Sequence, residues 1–319
     1  MSLKILGAGM AHPTYALTNA ELSEMVDTND EWITTRTGIK SRYITTTGPM
    51  LNFSVAAARK ALQESKLEPH ELDLIICTTI QGDYITPSLA CEVQLNLGAV
   101  CPAFDINAAC TGFIYALDVA KSYFDSGRAK NILIVSSEQM TKFVNWKDRE
   151  TCVLFGDGSG AVVVTKGEDL KAIKITAKGD KDLLYIPGCA GSSPFMKDIG
   201  KEQGSYLHMQ GKEVFKFAVH SMCDDITDVL KEAGLGIEDI TTVIPHQANI
   251  RIINSAAAKL GIREDQLVIG VDKYGNTSSS SIPMLLGELI EFGDIKEGDI
   301  IVLSAFGGGL TSGACVLKI

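Results

Sequence analysis

The segment Phe155-Gly-Asp-Gly-Ser-Gly-Ala161 has a counterpart near the end of the chain, Phe306-Gly-Gly-Gly-Leu-Thr-Ser-Gly-Ala314. Strand-like residues follow the glycines in both segments. A nucleotide P-loop would instead end in Gly-Lys-Ser/Thr, and a dinucleotide-binding fingerprint would open a helix. We therefore interpret both segments as tight turns between strands, and their similarity indicates that two halves of the chain end in the same way.

Along the rest of the chain, short apolar runs alternate with amphipathic or Ala-rich stretches. This alternation predicts an α/β fold with a mostly parallel sheet covered by helices. The predicted strands are 3–9, 73–78, 101–106, 131–136, 160–165, 172–177, 240–245, 266–271, 299–304 and 313–318. The predicted helices are 53–65, 88–97, 110–126, 211–233, 248–260 and 279–292.

Residue matches between the halves point to an internal duplication. Leu62, Glu64, Leu67 and Ile76 recur 168 positions later as Leu230, Glu232, Leu235 and Ile244. Because element order and endings also agree, duplication is favoured over two generic halves with coincidental matches. The predicted halves are residues 1–168 and 169–319.

Two segments interrupt the alternation. Residues 18–50 contain the patterns Thr18/Glu21 and Thr28/Glu31, which are typical of capping boxes and predict short inserted helices. Residues 178–210 are rich in Gly, Pro and Ser and are predicted to form a long loop, a feature that is usually functional in a compact domain.

Composition excludes several classes of protein. The 319 residues are 45% hydrophobic and carry a net charge of −10, which argues against a general nucleic-acid binder but leaves room for a local Arg cluster. There is no apolar run long enough to span a membrane and no secretory signal at the start. The eight cysteines show no Cys-x-x-Cys pair, so we expect no metal site and reduced thiols in a cytoplasmic protein.

Three polar residues follow predicted strands at points where a helix is about to begin. They are Cys110, His246 and Asn276. Ligands of open α/β sheets bind at the carboxyl ends of parallel strands, so two halves packed face to face would bring these side chains into one cleft. A thiol, an imidazole and an amide suggest acyl chemistry, with one nucleophile and two hydrogen-bond donors.

Cys110 is predicted to lie at a helix start, where the helix dipole and free backbone N–H groups would lower its pKa. Taken alone, each of the three residues has a simpler interpretation. Cys110 could be a buried structural cysteine, His246 a structural histidine and Asn276 a turn residue.

The motifs together resemble the β-ketoacyl-acyl carrier protein synthase III family, the initiating condensing enzymes of bacterial-type fatty acid synthesis within the thiolase superfamily. They span nearly the whole chain in the family's order. The matching segments are Asp27-Thr-Asn-Asp-Glu-Trp-Ile-Thr-Thr-Arg-Thr-Gly-Ile39, Cys101-Pro-Ala-Phe-Asp-Ile-Asn-Ala-Ala-Cys110, Phe155-Gly-Asp-Gly-Ser-Gly160, Pro245-His-Gln-Ala-Asn-Ile-Arg251, Gly275-Asn-Thr-Ser278 and Ala305-Phe-Gly-Gly-Gly309.

The resemblance implies a thiolase-like, five-layered αβαβα fold and a homodimer. It also implies that Cys110 takes an acyl group from an acyl-CoA and that malonyl-acyl carrier protein then loses CO2 and attacks the acyl-cysteine. The products would be 3-oxoacyl-acyl carrier protein, CoA and CO2. No cofactor is implied, because the CoA thioester is a substrate.

The resemblance further assigns roles to individual positions. His246 and Asn276 would stabilise the enolate, Gly308 would complete the oxyanion hole with Cys110, and Phe306 would favour decarboxylation. The positions that match CoA-binding residues are Thr28, Trp32, Arg36, Arg149 and Asn249. The positions that match a basic patch for the acidic carrier protein are Lys216, Arg251 and Lys259.

One position departs from the acetyl-selective members of the family. Thr86, in Tyr84-Ile-Thr-Pro-Ser88, stands where those members have a Phe that caps the acyl pocket across the dimer. The smaller side chain predicts that branched or longer primers are accepted as well as acetyl. Tyr84 or Ile85 could still fill the space.

Three alternatives remain at this point. The chain could be a related ketosynthase of secondary metabolism, or an acyltransferase without decarboxylation. A hydroxymethylglutaryl-CoA synthase-type reaction would need a Glu base near the nucleophile, for which Glu138 is a possible source. A non-catalytic acyl-binding scaffold is disfavoured by the intact Cys110, His246 and Asn276.

Overall fold

The computed structural model of the chain describes residues 2–188 and 206–319. Part of the predicted loop 178–210, and with it Cys189, lies outside the described residues. The first half comprises β1 (Ser2–Ala11), β2 (Tyr15–Thr18), α1 (Asn19–Ser23), α2 (Asp30–Thr37), β3 (Ser41–Ile44), α3 (Leu51–Ser65), β4 (Leu74–Thr78), α4 (Leu89–Leu97), β5 (Ala103–Ile106), α5 (Gly112–Asp125), β6 (Asn131–Gln139), α6 (Arg149–Cys152) and β7 (Asp157–Gly167). The second comprises β8 (Leu170–Asp180), β9 (Leu184–Tyr185), β10 (His208–Met209), α7 (Gly211–Ala233), β11 (Thr242–Pro245), α8 (Ile250–Leu260), α9 (Val271–Tyr274), α10 (Ser281–Phe292), β12 (Ile300–Gly307) and β13 (Gly309–Lys318).

Two mixed sheets organise these elements. The first has the order β1-β7-β6-β4-β5 and the second the order β11-β12-β13-β8. Only the β6-β4, β4-β5 and β11-β12 pairs are parallel. The prediction of a mostly parallel sheet is therefore wrong. Each half ends in strands that return antiparallel, because no long crossover helix separates β6 from β7 or β12 from β13.

Alternating side chains of the strands create five layers. Ile76, Ile134 and Val162 face a core shared with α5, α10 and the second sheet. Their neighbours Ile75 and Leu133 face the opposite way, onto α3 and α4. In the second sheet, Val302 and Val316 likewise face a separate core with α7 and α8. Since successive strand residues point to opposite faces, two doubly covered sheets sharing a helical layer give the order αβαβα.

Corresponding elements in the two halves end at corresponding positions. Helices α3 and α7 both stop at a left-handed cap, Lys66 in the first half and Gly234 in the second, 168 positions apart. A short 3-10 turn follows each helix, Pro69–Glu71 and Ile237–Asp239, before strands β4 and β11. The separation is the one at which the residue matches occur.

The predicted strand 266–271 is wrong. Residues 267–270 lie beside β11 but make only an isolated bridge, Leu267 with Val243. The side chain of Gln247 takes over the remaining backbone groups: its Oε1 accepts from the N–H groups of Gly270 and Val271, and its Nε2 donates to the carbonyl of Val268. The side chain of Gln247 thus makes hydrogen bonds that a neighbouring strand would otherwise make.

The inserted segment is partly as predicted. Thr18 and Glu21 form a complete capping box at α1. The second box is wrong, because Asn29 caps α2 by accepting from the N–H of Trp32. Asn29 therefore accepts from a free backbone N–H group of the first helical turn, and the N-cap lies one residue after Thr28.

The Gly-rich segments also differ from expectation in one half. Phe306–Gly309 is a tight turn between β12 and β13, as predicted. In the first half a 3-10 turn and α6 separate β6 from β7, so the turn interpretation is wrong there. Gly158 and Gly160 lie within β7, where a Cβ would collide with Met284 of α10. These glycines let the helix approach the sheet closely.

None of the helices in the described part of the chain is both long enough and apolar enough to cross a bilayer.

Candidate active site

One cavity of about 1210 Å3 lies where the carboxyl ends of the two sheets meet. Cys110, His246 and Asn276 all line it. They come from separate positions in both halves: the turn after β5, the end of β11 and the segment before α10. The structure therefore brings together the three side chains that the sequence singled out, although Asn276 follows the short helix α9 and not the predicted strand.

The thiol of Cys110 lies in a 3-10 turn, Ala109–Thr111, that leads into α5. Ala109 adopts a left-handed backbone with φ of 47°, which is uncommon for a residue with a Cβ and is typical of functional turns. Desolvation raises the pKa of the Cys110 thiol to about 12, and the nearby charge of Glu138 adds to this effect. The expectation of a lowered pKa at a helix start is wrong for the free protein, because removal from water outweighs the dipole.

His246 is buried and held as a neutral imidazole. Desolvation lowers its pKa to about 3. Its Nδ1 lies 2.8 Å from the Ser281 hydroxyl, whose oxygen also accepts from the N–H of Gln247 at 3.4 Å. We assign the hydroxyl proton to the bond with Nδ1, which leaves the imidazole proton on Nε2.

Asn276 is clamped by the Gly-rich segment of the other half. Its N–H donates to the carbonyl of Leu154, and its carbonyl accepts from the N–H of Gly156. The side-chain Oδ1 accepts from the N–H of Ser278 at 2.9 Å. This bond orients the amide so that Nδ2 is the group left to donate into the cavity.

The turn between β12 and β13 presses against the nucleophile. A Cβ on Gly307 would lie 2.7 Å from the nitrogen of Cys110, so only glycine allows this approach. Gly308 lines the same cavity. Phe306 is buried and meets the His246 ring edge-on, with centroids 5.3 Å apart. The turn thus carries backbone N–H groups and an aromatic ring beside Cys110 and His246.

Two functional candidates, Ser281 and Ser278, emerge only from the structure, which also shows the contacts of Glu138. Ser281 contacts His246, and Ser278 places its hydroxyl 3.5 Å from the sulfur of Cys110 and 3.1 Å from Glu138 Oε1. The sequence indicated Glu138 only as a possible base. Its contact with Ser278 could not be predicted, because the two residues are 140 positions apart in the chain. The run of four serines at 278–281, immediately before an apolar helix, is the signal that could have drawn attention to them.

Trp32 and Arg36 line the cavity, and Arg149 lies beside Trp32 outside the lining. The guanidinium groups of Arg36 and Arg149 lie 4.8 and 5.0 Å from the centre of the Trp32 ring. Arg149 also donates to the carbonyl of Asp27 at 2.9 Å. A ring with adjacent guanidinium groups suits a nucleotide base with phosphates.

The remaining predicted residues are divided between the cavity and its surroundings. Asn249 lines the cavity and caps α8, accepting from the N–H of Arg251. Arg251 and Lys216 lie at its exposed rim, and Lys216 pairs with Glu213 at 2.9 Å. Outside the cavity walls are Thr28, whose hydroxyl is buried without a partner, exposed Lys259 near the end of α8, and exposed Thr86 in the loop before α4.

The described parts of the predicted loop 178–210 contribute to the same cavity. Leu184–Ile186 and the residues Leu207 and Met209 line its wall. Among residues 2–188 and 206–319, no three His, Cys, Asp or Glu side chains cluster in a way that could hold a metal ion.

Comparison with known proteins gives one consistent result. Two family models match, the 3-oxoacyl-[acyl-carrier-protein] synthase III model at residues 104–180 and its C-terminal model at residues 230–319. The chain is 47% identical to β-ketoacyl-[acyl-carrier-protein] synthase III of Aquifex aeolicus, with 100% of both chains covered, and 46% identical to that of Clostridium perfringens strain SM101, with 99% of each covered.

Solved structures agree with the sequence matches. The crystal structure of 3-oxoacyl-[acyl-carrier-protein] synthase III from A. aeolicus superimposes with a TM-score of 0.93 at 47% identity over 100% of both chains. Such similarity across the whole length covers both halves, both mixed sheets and the cavity between them. The chain therefore belongs to the 3-oxoacyl-[acyl-carrier-protein] synthase III family, the acyltransferases that carry out the initiating condensation of fatty acid synthesis.

Proposed function

We propose that this chain joins an acyl-CoA primer to malonyl-acyl carrier protein, with Cys110, His246 and Asn276 as its catalytic residues. The observation that carries the proposal is their convergence on one cavity that Trp32 and Arg36 also line, with Arg149 beside Trp32. The scheme needs no metal or organic cofactor, because CoA enters as part of the substrate.

In the first stage the sulfur of Cys110 attacks the thioester carbonyl of the acyl-CoA. The carbonyl oxygen becomes negative as the new C–S bond forms, and the backbone N–H groups of Cys110 and Gly308 stabilise it. The C–S bond to CoA then breaks, and the acyl group stays on Cys110. Fixed donors aimed at a developing oxyanion cost no reorganisation during the reaction.

In the second stage malonyl-acyl carrier protein loses CO2, which generates the carbanion without removal of a carbon-bound proton. The carbanion forms a C–C bond to the acyl carbon, the bond from that carbon to the Cys110 sulfur breaks, 3-oxoacyl-acyl carrier protein leaves, and the Cys110 thiolate takes up a proton. As CO2 leaves, charge develops on the thioester oxygen, where Nε2–H of His246 and Nδ2–H of Asn276 donate. A donor of this kind is worth about 3–4 kcal/mol. Because burial lowers the pKa of His246 to about 3, the imidazole stays neutral and keeps one donating nitrogen at pH 7. Phe306 places an apolar ring near the carboxylate and disfavours the charged ground state.

The part of the cavity lined by Trp32 would hold CoA. Trp32 offers a stacking surface for the adenine, while Arg36 and Arg149 meet the phosphates. Asn249 lines the path toward Cys110, where the pantetheine would pass. Thr28 would contribute from its position beside the N-cap of α2.

The carrier protein would dock around the rim, at Arg251, Lys216 and Lys259. All three are exposed, and they contrast with the chain's net charge of −10. Lys216 would exchange its contact with Glu213 for an acidic group of the partner. Charge reversal of Arg251 should raise the KM for malonyl-acyl carrier protein at low salt, and the difference should shrink as salt increases. An unchanged KM would remove this residue from the docking surface.

We propose a homodimer formed along β5, one of the two edge strands of the first sheet within the described chain. Two large apolar side chains beside it, Leu95 and Val100, are 77% and 83% exposed. An open strand edge with apolar neighbours favours pairing with a second copy. Sedimentation of the wild type and of Val100→Asp tests this: the wild type should be dimeric and the variant should dissociate. A monomeric wild type would overturn it.

Primer choice would depend on that second copy. Thr86 does not line the cavity of a single chain, so it could reach the primer only across the dimer. With a small side chain there, branched or longer acyl-CoAs should be used as well as acetyl-CoA, and Thr86→Phe should restrict use to acetyl-CoA. Equal rejection by the wild type of everything beyond acetyl-CoA would overturn this proposal.

All seven cysteines in the described chain are free, which supports a cytoplasmic location, where thiols stay reduced.

The catalytic assignment is tested by separating the two stages. The protein is incubated with radiolabelled acyl-CoA, and malonyl-acyl carrier protein is then added. Cys110→Ser should abolish labelling of the protein, whereas Cys223→Ser, another partly buried thiol, should not. Asn276→Ala should still become labelled but should release CO2 roughly 100- to 1000-fold more slowly. A labelled wild type that never releases CO2 would contradict the proposed reaction.

A further inference from the structure

A chain of hydrogen bonds leads from the nucleophile into the protein interior. The Ser278 hydroxyl lies 3.5 Å from the sulfur of Cys110 and 3.1 Å from Oε1 of Glu138. Neither Ser278 nor Glu138 has a role in the two stages described above. Both are buried, Ser278 at 0% and Glu138 at 1% exposure. The contact therefore connects the reacting sulfur to a carboxyl group that bulk water does not reach.

The carboxyl group is fixed from two sides. Its Oε1 accepts from the Ser279 hydroxyl at 2.7 Å, in addition to Ser278. Its Oε2 accepts from the N–H of Ile80 at 3.0 Å, just beyond the end of β4. Because these donors belong to different elements, Glu138 cannot turn toward solvent without breaking the packing between the halves.

Ser278 is held in a costly conformation that keeps its hydroxyl in place. Its backbone is left-handed, with φ of 51°, and its N–H donates to Oδ1 of Asn276 at 2.9 Å. A non-glycine residue in this region costs about 1–3 kcal/mol and persists where the surroundings determine it. The conformation therefore serves the contact with Cys110 and Glu138.

The two buried groups that could receive the thiol proton differ in basicity. Desolvation lowers the pKa of His246 to about 3 and raises that of Glu138 to about 7. The carboxylate of Glu138 is therefore the more basic of the two groups. Two further ionisable groups lie on strands paired with β6. Asp157 of β7 has its carboxylate occupied by Thr141 and the N–H of Thr45, and Cys77 of β4 faces the opposite side of the sheet.

We propose that Glu138 accepts the thiol proton of Cys110 through the Ser278 hydroxyl as the sulfur attacks its electrophile, which in the reaction is the acyl-CoA. The thiol proton passes to Ser278 Oγ while the hydroxyl proton passes to Oε1, so the sulfur becomes a thiolate and the carboxylate becomes neutral. The sulfur then forms its bond to the acyl carbon, and the C–S bond to CoA breaks. The proton returns along the same path to the departing CoA sulfur, which leaves Glu138 ionised.

Simple electrostatics predicts the opposite behaviour for a variant. The negative charge of Glu138 raises the pKa of Cys110, so its removal alone would make the thiol more reactive. If Glu138 accepts the thiol proton through Ser278, a transfer that we call the relay, removal of the same charge takes away the proton acceptor and makes the thiol less reactive. The sign of the effect of Glu138→Gln therefore separates the two cases.

The inference rests on the proposed role of Cys110, and the experiment uses the full-length protein. The rate of Cys110 alkylation by iodoacetamide is measured from pH 5.5 to 9 by mass spectrometry of the peptide. The wild type should show a rise in rate centred near pH 7, where Glu138 ionises. Glu138→Gln and Ser278→Ala should each lose this rise and react roughly tenfold or more slowly at pH 8, and the double variant should be no slower than either.

The matched control is Ser280→Ala, since that hydroxyl donates to the carbonyl of Thr277 and does not enter the chain of contacts. It should keep the wild-type profile. Protein acylated beforehand should condense at the wild-type rate in Glu138→Gln, because the proton is already gone; a misfolded variant would lose both stages. Alkylation of Glu138→Gln as fast as, or faster than, the wild type overturns the relay. Normal acyl labelling of Cys110→Ser would instead overturn the proposed function.

Discussion

The contact between Ser281 and His246 predicts a selective loss of the second stage. In Ser281→Ala the Nδ1 of His246 loses the donor that lies 2.8 Å away, and the imidazole is free to carry its proton there. The tautomer with Nε2–H, which points a donor at the enolate, is then no longer favoured. His246 is 1% exposed, so water does not replace the lost Ser281 hydroxyl as the partner of Nδ1.

The magnitude follows from one buried hydrogen bond between neutral groups. Its loss costs about 1–2 kcal/mol, which corresponds to a roughly 5- to 30-fold lower rate of CO2 release. Asn276→Ala removes a donor outright and should cost roughly 100- to 1000-fold. Labelling of Cys110 by acyl-CoA should stay within about twofold of the wild type in Ser281→Ala, because the oxyanion hole of the first stage uses backbone N–H groups.

The assay measures CO2 release by protein acylated beforehand, together with the 15N chemical shifts of His246 between pH 5 and 8. Throughout that range the wild-type ring should remain neutral with its proton on Nε2, since its pKa is about 3. Ser280→Ala serves as the matched control, because it removes a neighbouring buried hydroxyl that does not contact the ring. Equal rates in the two serine variants, or a wild-type ring protonated on Nδ1, would refute the reasoning.

Three further outcomes are expected. Gly307→Ala places a Cβ 2.7 Å from the nitrogen of Cys110 and should slow acyl labelling strongly, whereas Gly179→Ala, which meets open space, should not; equal rates would show that the approach is not tight. Burial raises the pKa of Glu138 from 4.5 to about 7, so the native state keeps a proton that the unfolded state loses, and stability falls as pH rises through that window. Glu138→Gln should therefore gain up to about 3 kcal/mol relative to the wild type between pH 5 and 8 in urea unfolding, and a constant difference would contradict the raised pKa. Arg149→Ala should raise the KM for acyl-CoA roughly tenfold while labelling at saturation changes little; a lowered saturating rate with an unchanged KM would place Arg149 in the chemistry instead.

Local patterns predicted most of the elements. The amphipathic pattern at 211–233 coincides with α7 at both ends, and the apolar run at 73–78 differs from β4 by one residue. Hydrophobic periodicity and capping are properties of neighbouring residues, so they can be read before folding. The prediction of a strand at 266–271 was wrong because the side chain of Gln247, about twenty positions earlier, makes hydrogen bonds to backbone groups of this stretch.

The pKa of Cys110 could not be predicted from the residues next to it in the chain. A helix start next to the thiol is visible in the sequence and favours a thiolate. The effect that prevails is desolvation by elements brought in from both halves, together with the charge of Glu138. What covers a group depends on the whole fold, and a desolvation of this size exceeds what a short turn and one helix dipole contribute.

By itself, the amino-acid sequence predicted most of the elements in their order, a duplication of the two halves, the strand-end positions of Cys110 and His246, and the resemblance to one family. Those features depend on periodicity and on motifs of adjacent residues. Only the tertiary structure decided that Phe155–Gly160 clamps Asn276 instead of turning between strands, and that Ser281 and Ser278 connect His246 and Cys110 to their partners. These are contacts between residues far apart in the chain, and their geometry exists only once the two halves have packed across the shared helical layer.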